Sequence, residues 1–176
     1  MPTAASAWAR ARSIASALVT VWALTGGLVL VGVVLVNAYS VVSAALLNRP
    51  FAGDFELTEM GTAIAAFCFL PYAQLTGAHV SADIFSSGAG PKARAFMAAL
   101  ASAIAAAVAA LLTWRMAAGL QDYREFLEFT GILAIPVWWA FVPALISLVL
   151  LVVAALVCLV DALSKARGQR RATQCR

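Results

Sequence analysis

Residues 13–48 read SIASALVTVWALTGGLVLVGVVLVNAYSVVSAALLN, and this stretch decides the fold. It contains no Asp, Glu, Lys, Arg or His. A hydrocarbon core about 30 Å thick is crossed by about 20 apolar residues in helical form, because backbone polar groups exposed to lipid need internal partners. The stretch therefore predicts a transmembrane helix. A signal-peptide h-region runs only about 7–15 residues, so a retained helix is the better interpretation.

Three more stretches lack charged side chains, at residues 60–82, 95–114 and 129–160. We place the four spans near residues 15–38, 58–76, 95–116 and 135–160. The sequence thus predicts an all-α integral membrane protein, with four transmembrane helices forming one bundle. This single membrane domain covers residues 1–165, and a basic cytoplasmic tail follows at residues 166–176.

The composition places the chain in the membrane class. Of its 176 residues, 64% are hydrophobic and 11% are charged, whereas soluble domains average roughly 45–50% apolar and about 25% charged residues. Nucleic-acid binding needs Lys and Arg clustered on a solvent face. Here the basic residues lie at the ends of apolar runs, so we expect the lipid bilayer and not nucleic acid as a partner.

The distribution of basic residues predicts that both termini are cytoplasmic. Short cytoplasmic loops carry an excess of Lys and Arg. With the N-terminus inside, only Arg49, Arg115 and Arg124 lie outside, and the other nine Lys and Arg residues lie inside. The outer connections also hold most of the carboxylates, namely Asp54, Glu56, Glu59, Asp122, Glu125 and Glu128. The outer rim is therefore predicted to be negative.

The residue inventory argues against an enzyme. The chain has one histidine, His79, and lacks the H-E-x-x-H, Walker and G-x-S-x-G motifs. We expect no catalytic residue, metal or cofactor. A pump that couples ions by itself needs an ionisable group buried in a span, and no predicted span has a charge near its centre.

A polar group follows the second span, where Gly77, His79 and Asp83 form the pattern G-x-H-x-x-x-D. If a helix resumes after Gly77, His79 and Asp83 lie four residues apart on one face. A structural pair that positions the turn is the favoured interpretation. A ligand or proton role is the alternative, although one histidine and one carboxylate complete no known site.

Other candidates lie at the outer helix ends. Glu56 and Glu59 come where the second helix starts, where carboxylates complement its dipole, and Glu59 could equally contact a partner. Pro136 suits the first turn of the fourth helix. Trp138 and Trp139 are expected at the outer membrane interface, as anchors in preference to ligand stackers.

The third span is rich in alanine, reading FMAALASAIAAAVAALL over residues 96–112. Small side chains let membrane helices approach closely, which is how they gain packing energy in lipid. These faces could pack within the monomer or against another subunit. A small bundle with no site of its own fits a partner subunit.

The motifs together resemble a known family. The Glu56-Leu-Thr-Glu59 segment, the apolar helix after it, the Gly77-Ala-His79-Val-Ser-Ala-Asp83 segment and Ile135-Pro136-Val-Trp138-Trp139 are similar to the small, DctQ-like membrane subunit of tripartite ATP-independent periplasmic (TRAP) transporters. Many members have a basic residue just before the histidine, where this chain has Ala78. The resemblance covers almost the whole chain.

The resemblance implies a function that the composition does not show. A periplasmic solute-binding protein would deliver a small anionic solute, such as a dicarboxylate or other organic acid, to a large membrane subunit. That subunit would drive uptake with a cation gradient, in the bacterial inner membrane. The present chain would brace it as a scaffold. The alternative is a homo-oligomeric four-helix transporter or channel that acts without a large subunit.

Overall fold

A computed structural model of the chain describes residues 4–76 and 91–174. Its helices are α1 (Ala4–Leu47), α2 (Asp54–Thr76), α3 (Pro91–Glu125) and α4 (Trp138–Gln174). In these ranges the regular structure is helical apart from one isolated β-bridge, which confirms the predicted all-α class. The first three predicted spans each fall within one helix, whereas the fourth, 135–160, begins three residues before α4. The α4 helix continues through most of the predicted basic tail.

Three of these helices have the length and apolar character needed to cross a membrane. These long apolar segments are Arg10–Leu47, Met97–Glu125 and Trp138–Ser164. The α2 helix is not among them, because carboxylates in its first two turns and Gln74 near its end lower its hydropathy. The four-span topology therefore stays a prediction.

The helices are arranged as a cluster of three with a fourth at its side. The α2 helix packs against both α1 and α4, while α1 and α4 touch each other over a smaller area. Within the described ranges, α3 packs against α4 alone. The predicted bundle is thus open around α3.

Glycines bring α1 and α2 close together. A Cβ atom at Gly26 would lie 2.5 Å from the Cβ of Cys68 and 3.4 Å from the carbonyl oxygen of Ala65. At Gly61 a Cβ would collide with the side chain of Val33. Close approach at small residues is the usual way in which membrane helices gain van der Waals contact, so these two glycines hold α1 against α2.

A hydrogen bond inside the cluster joins α1 to α4. The indole Nε1 of Trp22 donates to Ser147 Oγ at 2.8 Å, and Ser147 Oγ donates to the carbonyl oxygen of Pro143 at 2.8 Å. Ser147 is fully buried. A buried hydroxyl needs such partners, because an unmade hydrogen bond in apolar surroundings costs free energy.

The start of α1 meets the end of the apolar part of α4. Arg12 Nε lies 3.3 Å from Asp161 Oδ2, and Trp8 Nε1 donates to Asp161 Oδ1 at 3.2 Å. The first turns of α1 and the later turns of α4 therefore share one end of the molecule. This agrees with termini on one side, and the cytoplasmic assignment remains a prediction from the charge distribution.

Candidate functional site

The richest polar structure lies at the opposite end of the molecule, where α2 begins. Two connections meet there, the segment of residues 48–53 between α1 and α2 and the segment of residues 126–137 between α3 and α4. The second segment folds back on itself: Thr130 N donates to Ile135 O at 2.9 Å, and Val137 N donates to Glu128 O at 3.1 Å. We call residues 126–137 the hairpin.

Glu56 fastens the hairpin to α2. Its Oε1 accepts a hydrogen bond from the amide of Ile132 at 2.7 Å, and its Oε2 accepts one from the amide of Leu133 at 2.9 Å. Successive backbone amides that point the same way form an anion-binding concavity. Hydrogen bonds to an ionised carboxylate are roughly twice as strong as neutral ones. The charged form of Glu56 is therefore the form that holds the hairpin.

These bonds change the acidity of the carboxyl group. The amide of Leu133 is the largest cause and lowers the pKa of Glu56; desolvation comes second and raises it, and Ile132, Thr130 and Gly131 each lower it further, so that the net pKa is lowered. The carboxylate thus keeps its charge at a lower pH than an ordinary glutamate does.

The first turn of α2 is also tied to α1. Asp54 Oδ2 accepts a hydrogen bond from Ser40 Oγ at 2.6 Å, and Asp54 Oδ1 accepts one from the amide of Phe55 at 2.7 Å. One turn deeper, Asn37 Nδ2 donates to Thr58 Oγ1 at 2.6 Å. These contacts fix where α2 starts relative to α1, and hence where Glu56 lies.

Gly53 allows the hairpin to approach. Its φ of 108° belongs to the left-handed region that favours glycine. A Cβ there would lie 2.6–2.8 Å from the side-chain carbons of Leu133. The glycine therefore supplies both the turn into α2 and the space for the hairpin.

Pro136 differs from its predicted place. It precedes α4 instead of occupying its first turn, and it forms a β-bridge with Phe129. Its carbonyl oxygen accepts a hydrogen bond from the amide of Trp139 at 3.1 Å. The amide of the next residue, Val137, donates to Glu128 O in the hairpin, and α4 is assigned from Trp138 onward. Pro136 thus closes the hairpin and starts the helix.

The two tryptophans have different surroundings. Trp138 lies under the guanidinium of Arg124, whose Cζ is 5.2 Å from the ring centroid, a geometry in which a cation is attracted to the ring face. Trp139 is largely exposed, at 58%. Their rings meet edge to face with centroids 6.1 Å apart, and both lie at the level where the hairpin joins α4.

The remaining predicted residues are not brought together with this group. Glu59 is exposed, on the turn of α2 after Glu56. Gly77, His79 and Asp83 lie outside the described residues, so their proposed pairing is untested. Among the described residues, no three His, Cys, Asp or Glu side chains come together as a metal site would require.

An apolar groove lies beside the hairpin, between α1, α2 and the start of α4. Its volume is about 360 Å³. It is lined by Val29, Gly32, Val33, Val36, Leu57, Met60, Gly61, Ile64, Ile135, Trp139 and Ala140. None of these residues carries a charge, so the groove offers no ionic partner to an anionic solute.

Comparison with known protein families connects this architecture to one of them. The family described as tripartite ATP-independent periplasmic transporters, DctQ component, matches residues 33–165. The match includes α2, the hairpin and the apolar part of α4. The chain belongs to the DctQ family. This confirms the resemblance seen in the motifs.

The DctQ family is a family of transporter components in the membrane, not of enzymes. The apolar helices of this chain agree with that assignment. No curated protein and no solved structure matches the chain. The Glu56 contact with the hairpin was missed by the sequence analysis, because the bonded residues lie 76 and 77 positions apart in the chain.

Proposed function

We propose that this DctQ protein is the small scaffold subunit of a TRAP-type secondary transporter in the bacterial inner membrane. It braces a large membrane subunit, which takes up a small organic anion with a cation gradient. A periplasmic solute-binding protein delivers the anion. The observation that carries the proposal is the family match over residues 33–165.

The distribution of charge supports a bracing role. Asp161 is paired with Arg12 at one end of the molecule, and Asp54 and Glu56 are bonded at the start of α2 at the other. Arg115 lies within the apolar segment Met97–Glu125, next to the end of the predicted span 95–116. A subunit that moved ions across the membrane alone would need an ionisable group within a span. Solute and coupling-ion sites therefore belong on the large subunit.

The exposed surface of α3 supports the proposal that this chain binds another subunit within the membrane. Ser102 and Ala109 are buried where α3 packs against α4. Most of the apolar segment Met97–Glu125 of α3 is exposed. Alanines at positions such as 103, 107 and 110 lie on the uncovered side. Small residues on an uncovered membrane helix permit close approach by another helix. We assign this side of α3 to the large subunit.

The remaining candidate residues take structural roles in the proposal. His79 and Asp83 position the turn after α2, with Gly77 providing the break in the helix. Trp138 and Trp139 anchor the outer end in the interface, and Glu59 contacts a neighbouring subunit. Substitutions at these positions are expected to lower the abundance or assembly of the complex, without changing which solute is transported.

Reconstitution tests the proposal. Vesicles would contain the large subunit that co-purifies with this chain, with or without the chain. They would receive the co-purifying binding protein, loaded with a labelled organic acid that calorimetry shows it to bind. A sodium gradient is expected to drive uptake only when both membrane subunits are present. Equal uptake without this chain would contradict the scaffold role.

A matched pair of substitutions examines the membrane contact. Ala110→Leu adds bulk to the uncovered side of α3, and Thr113→Val keeps the size of a half-buried side chain three residues further along the helix. We expect Ala110→Leu to reduce recovery of the large subunit in a mild-detergent purification while the chain itself stays folded. Unchanged recovery would place the contact on another helix.

A further inference from the structure

The hairpin has a defined conformation that is held by several contacts. Its two arms are joined by backbone hydrogen bonds, its tip is bonded to Glu56, and Gly53 accepts the side chain of Leu133. It also contains Leu127 at a φ of 47° and Ala134 at a φ of 51°. Residues with a Cβ adopt this left-handed region at a cost in free energy.

The hairpin presents large apolar side chains away from the protein. Four of them are more than half exposed, namely Phe126, Leu127, Phe129 and Ile132. We call these four the hairpin face. Leu127 is notable, because this bulky residue combines a left-handed conformation with a side chain that is 63% exposed. A contact outside the chain would compensate for that cost.

The position of the hairpin argues against lipid tails as the covering. One charged layer of the molecule holds Arg12 and Asp161, and the other holds Asp54, which is bonded to Ser40. The α1 helix runs from Arg12 to Ser40 between them, which is about 42 Å at about 1.5 Å per residue. The hydrocarbon core is only about 30 Å thick. Glu56, next to Asp54, holds the hairpin at the outer of these layers.

The charges beside the hairpin indicate what can cover it. Asp122, Glu125 and Glu128 are exposed, and they form no ion pair within the part of the chain that the structure describes. Of the cations in the two connections and at the end of α3, Arg124 is engaged over Trp138, and Arg49 is exposed on the segment of residues 48–53. Anionic headgroups would be repelled here. Basic side chains around an apolar pocket would complement both the charge and the four apolar side chains.

We propose that the hairpin face, positioned by Glu56, docks onto a water-exposed protein surface that has an apolar pocket rimmed by Lys or Arg. This deepens the proposed function, on which it rests, by assigning one contact of the assembly to named residues. Glu56 is a positioning residue in this account. Its carboxylate holds the amides of Ile132 and Leu133, and so fixes the direction in which the face points.

The first experiment tests positioning with two matched substitutions. Glu56→Gln removes the charge that holds the hairpin, whereas Glu59→Gln removes a charge from the next turn of α2 that bonds nothing in the described chain. Hydrogen–deuterium exchange of the full chain is expected to rise in the peptide covering residues 126–137 for Glu56→Gln alone. Equal exchange in both variants would overturn the positioning role.

The second experiment identifies the occupant by photo-cross-linking in the native membrane. A benzoylphenylalanine replaces Ile132 on the hairpin face or Leu28 on the exposed side of α1, and the cross-linked peptides are sequenced by mass spectrometry. We expect the Ile132 probe to mark a water-exposed segment of a protein with nearby Lys or Arg, and the Leu28 probe not to mark that segment. Cross-links from Ile132 to lipid alone would overturn the proposal.

The cross-linking measurement is repeated in two further variants, which test the positioning by Glu56 and the charge beside the hairpin face. Glu56→Gln and Glu128→Lys are each expected to lower the Ile132 cross-link at least about fivefold, since one releases the face and the other reverses a charge beside it. Glu59→Gln is expected to leave it unchanged. Persistence of the cross-link in both Glu56→Gln and Glu128→Lys would overturn the proposal. Recovery of the large subunit is scored separately, and its absence would count against the proposed function instead.

Discussion

The cluster of α1, α2 and α4 differs from α3 in how much of its apolar surface is covered by contacts within the chain. Within the cluster, glycines bring backbones together, and the Trp22 indole reaches Ser147 across the helix interface. The α3 helix has one neighbour in the described chain and leaves most of its apolar surface uncovered. The comparison indicates that α3 is the least covered of the apolar segments, although Ala109 is buried against α4. The rest of the α3 surface is available for lipid or another subunit.

The largest effect is expected from overpacking the cluster. In Gly26→Leu the new side chain meets Cys68 and the backbone of Ala65, and overpacking of this kind costs about 1–3 kcal/mol or more. The adjacent Gly27→Leu is the control, since a Cβ there meets nothing within 4 Å. Thermal stability in detergent, followed by size-exclusion chromatography, should fall for Gly26→Leu only. An equal loss of thermal stability in both variants would show that the close contact at Gly26 is not what holds α1 against α2.

A smaller effect is expected where α3 meets α4. Ala109 is completely buried, so Ala109→Leu pushes the two helices apart at a cost of about 1–2 kcal/mol. The loss is smaller than at Gly26 because α3 has a single neighbour and can shift. Ala107→Leu, on the exposed side, should leave the stability of the isolated chain unchanged. If Ala107→Leu destabilised the isolated chain more than Ala109→Leu, the assignment of α3 faces would be wrong.

The hydrogen bond in the cluster should contribute a further, smaller amount. Trp22→Phe removes the donor to Ser147 while keeping an aromatic ring, and we expect a loss of about 1 kcal/mol. Trp114→Phe is the matched control, because Trp114 is exposed on α3. The same melting measurement distinguishes them. No difference between the two variants would show that the bond adds nothing to the cluster.

The smallest effect is local and depends on pH. Because the pKa of Glu56 is lowered, its tie to the hairpin is fully present above the ordinary pKa of a glutamate, and it is lost as the pH falls through the lowered value. Exchange of the hairpin peptide, normalised to the free peptide, should therefore rise on acidification while the helices of the cluster stay protected. Glu56→Gln should abolish this pH dependence. A pH-dependent rise that persists in Glu56→Gln would assign the titration to another group.

The helices were predictable because long runs without charge leave few alternatives in a membrane. For this reason the predicted spans lie on the observed helices, except for residues 135–137 at the start of the fourth span. The faces of α3 were not predictable, since alanines on all sides give no periodicity that separates a contact with α4 from one with lipid. The position of Pro136 was predicted wrongly, because local preference for a first turn took no account of the hairpin that engages Val137.

The candidate site was predictable only as a set of residue types. Glu56 was expected at a helix start, and it lies there. Its bonds to Ile132 and Leu133 depend on how α2 packs beside α4, which no local pattern encodes. An acidic outer rim was predicted from the sequence, but the association of its carboxylates with four exposed apolar side chains required the folded hairpin.

The measurement that tests the central claim most directly is purification of the tagged chain from its native membrane in mild detergent. Mass spectrometry would identify and quantify the proteins that accompany it. The account predicts a large membrane subunit with many spans at near-equal stoichiometry, because α3 leaves a helix face that the chain does not cover. Recovery of this chain alone, as a defined oligomer, would contradict the scaffold role and favour a homo-oligomeric transporter or channel.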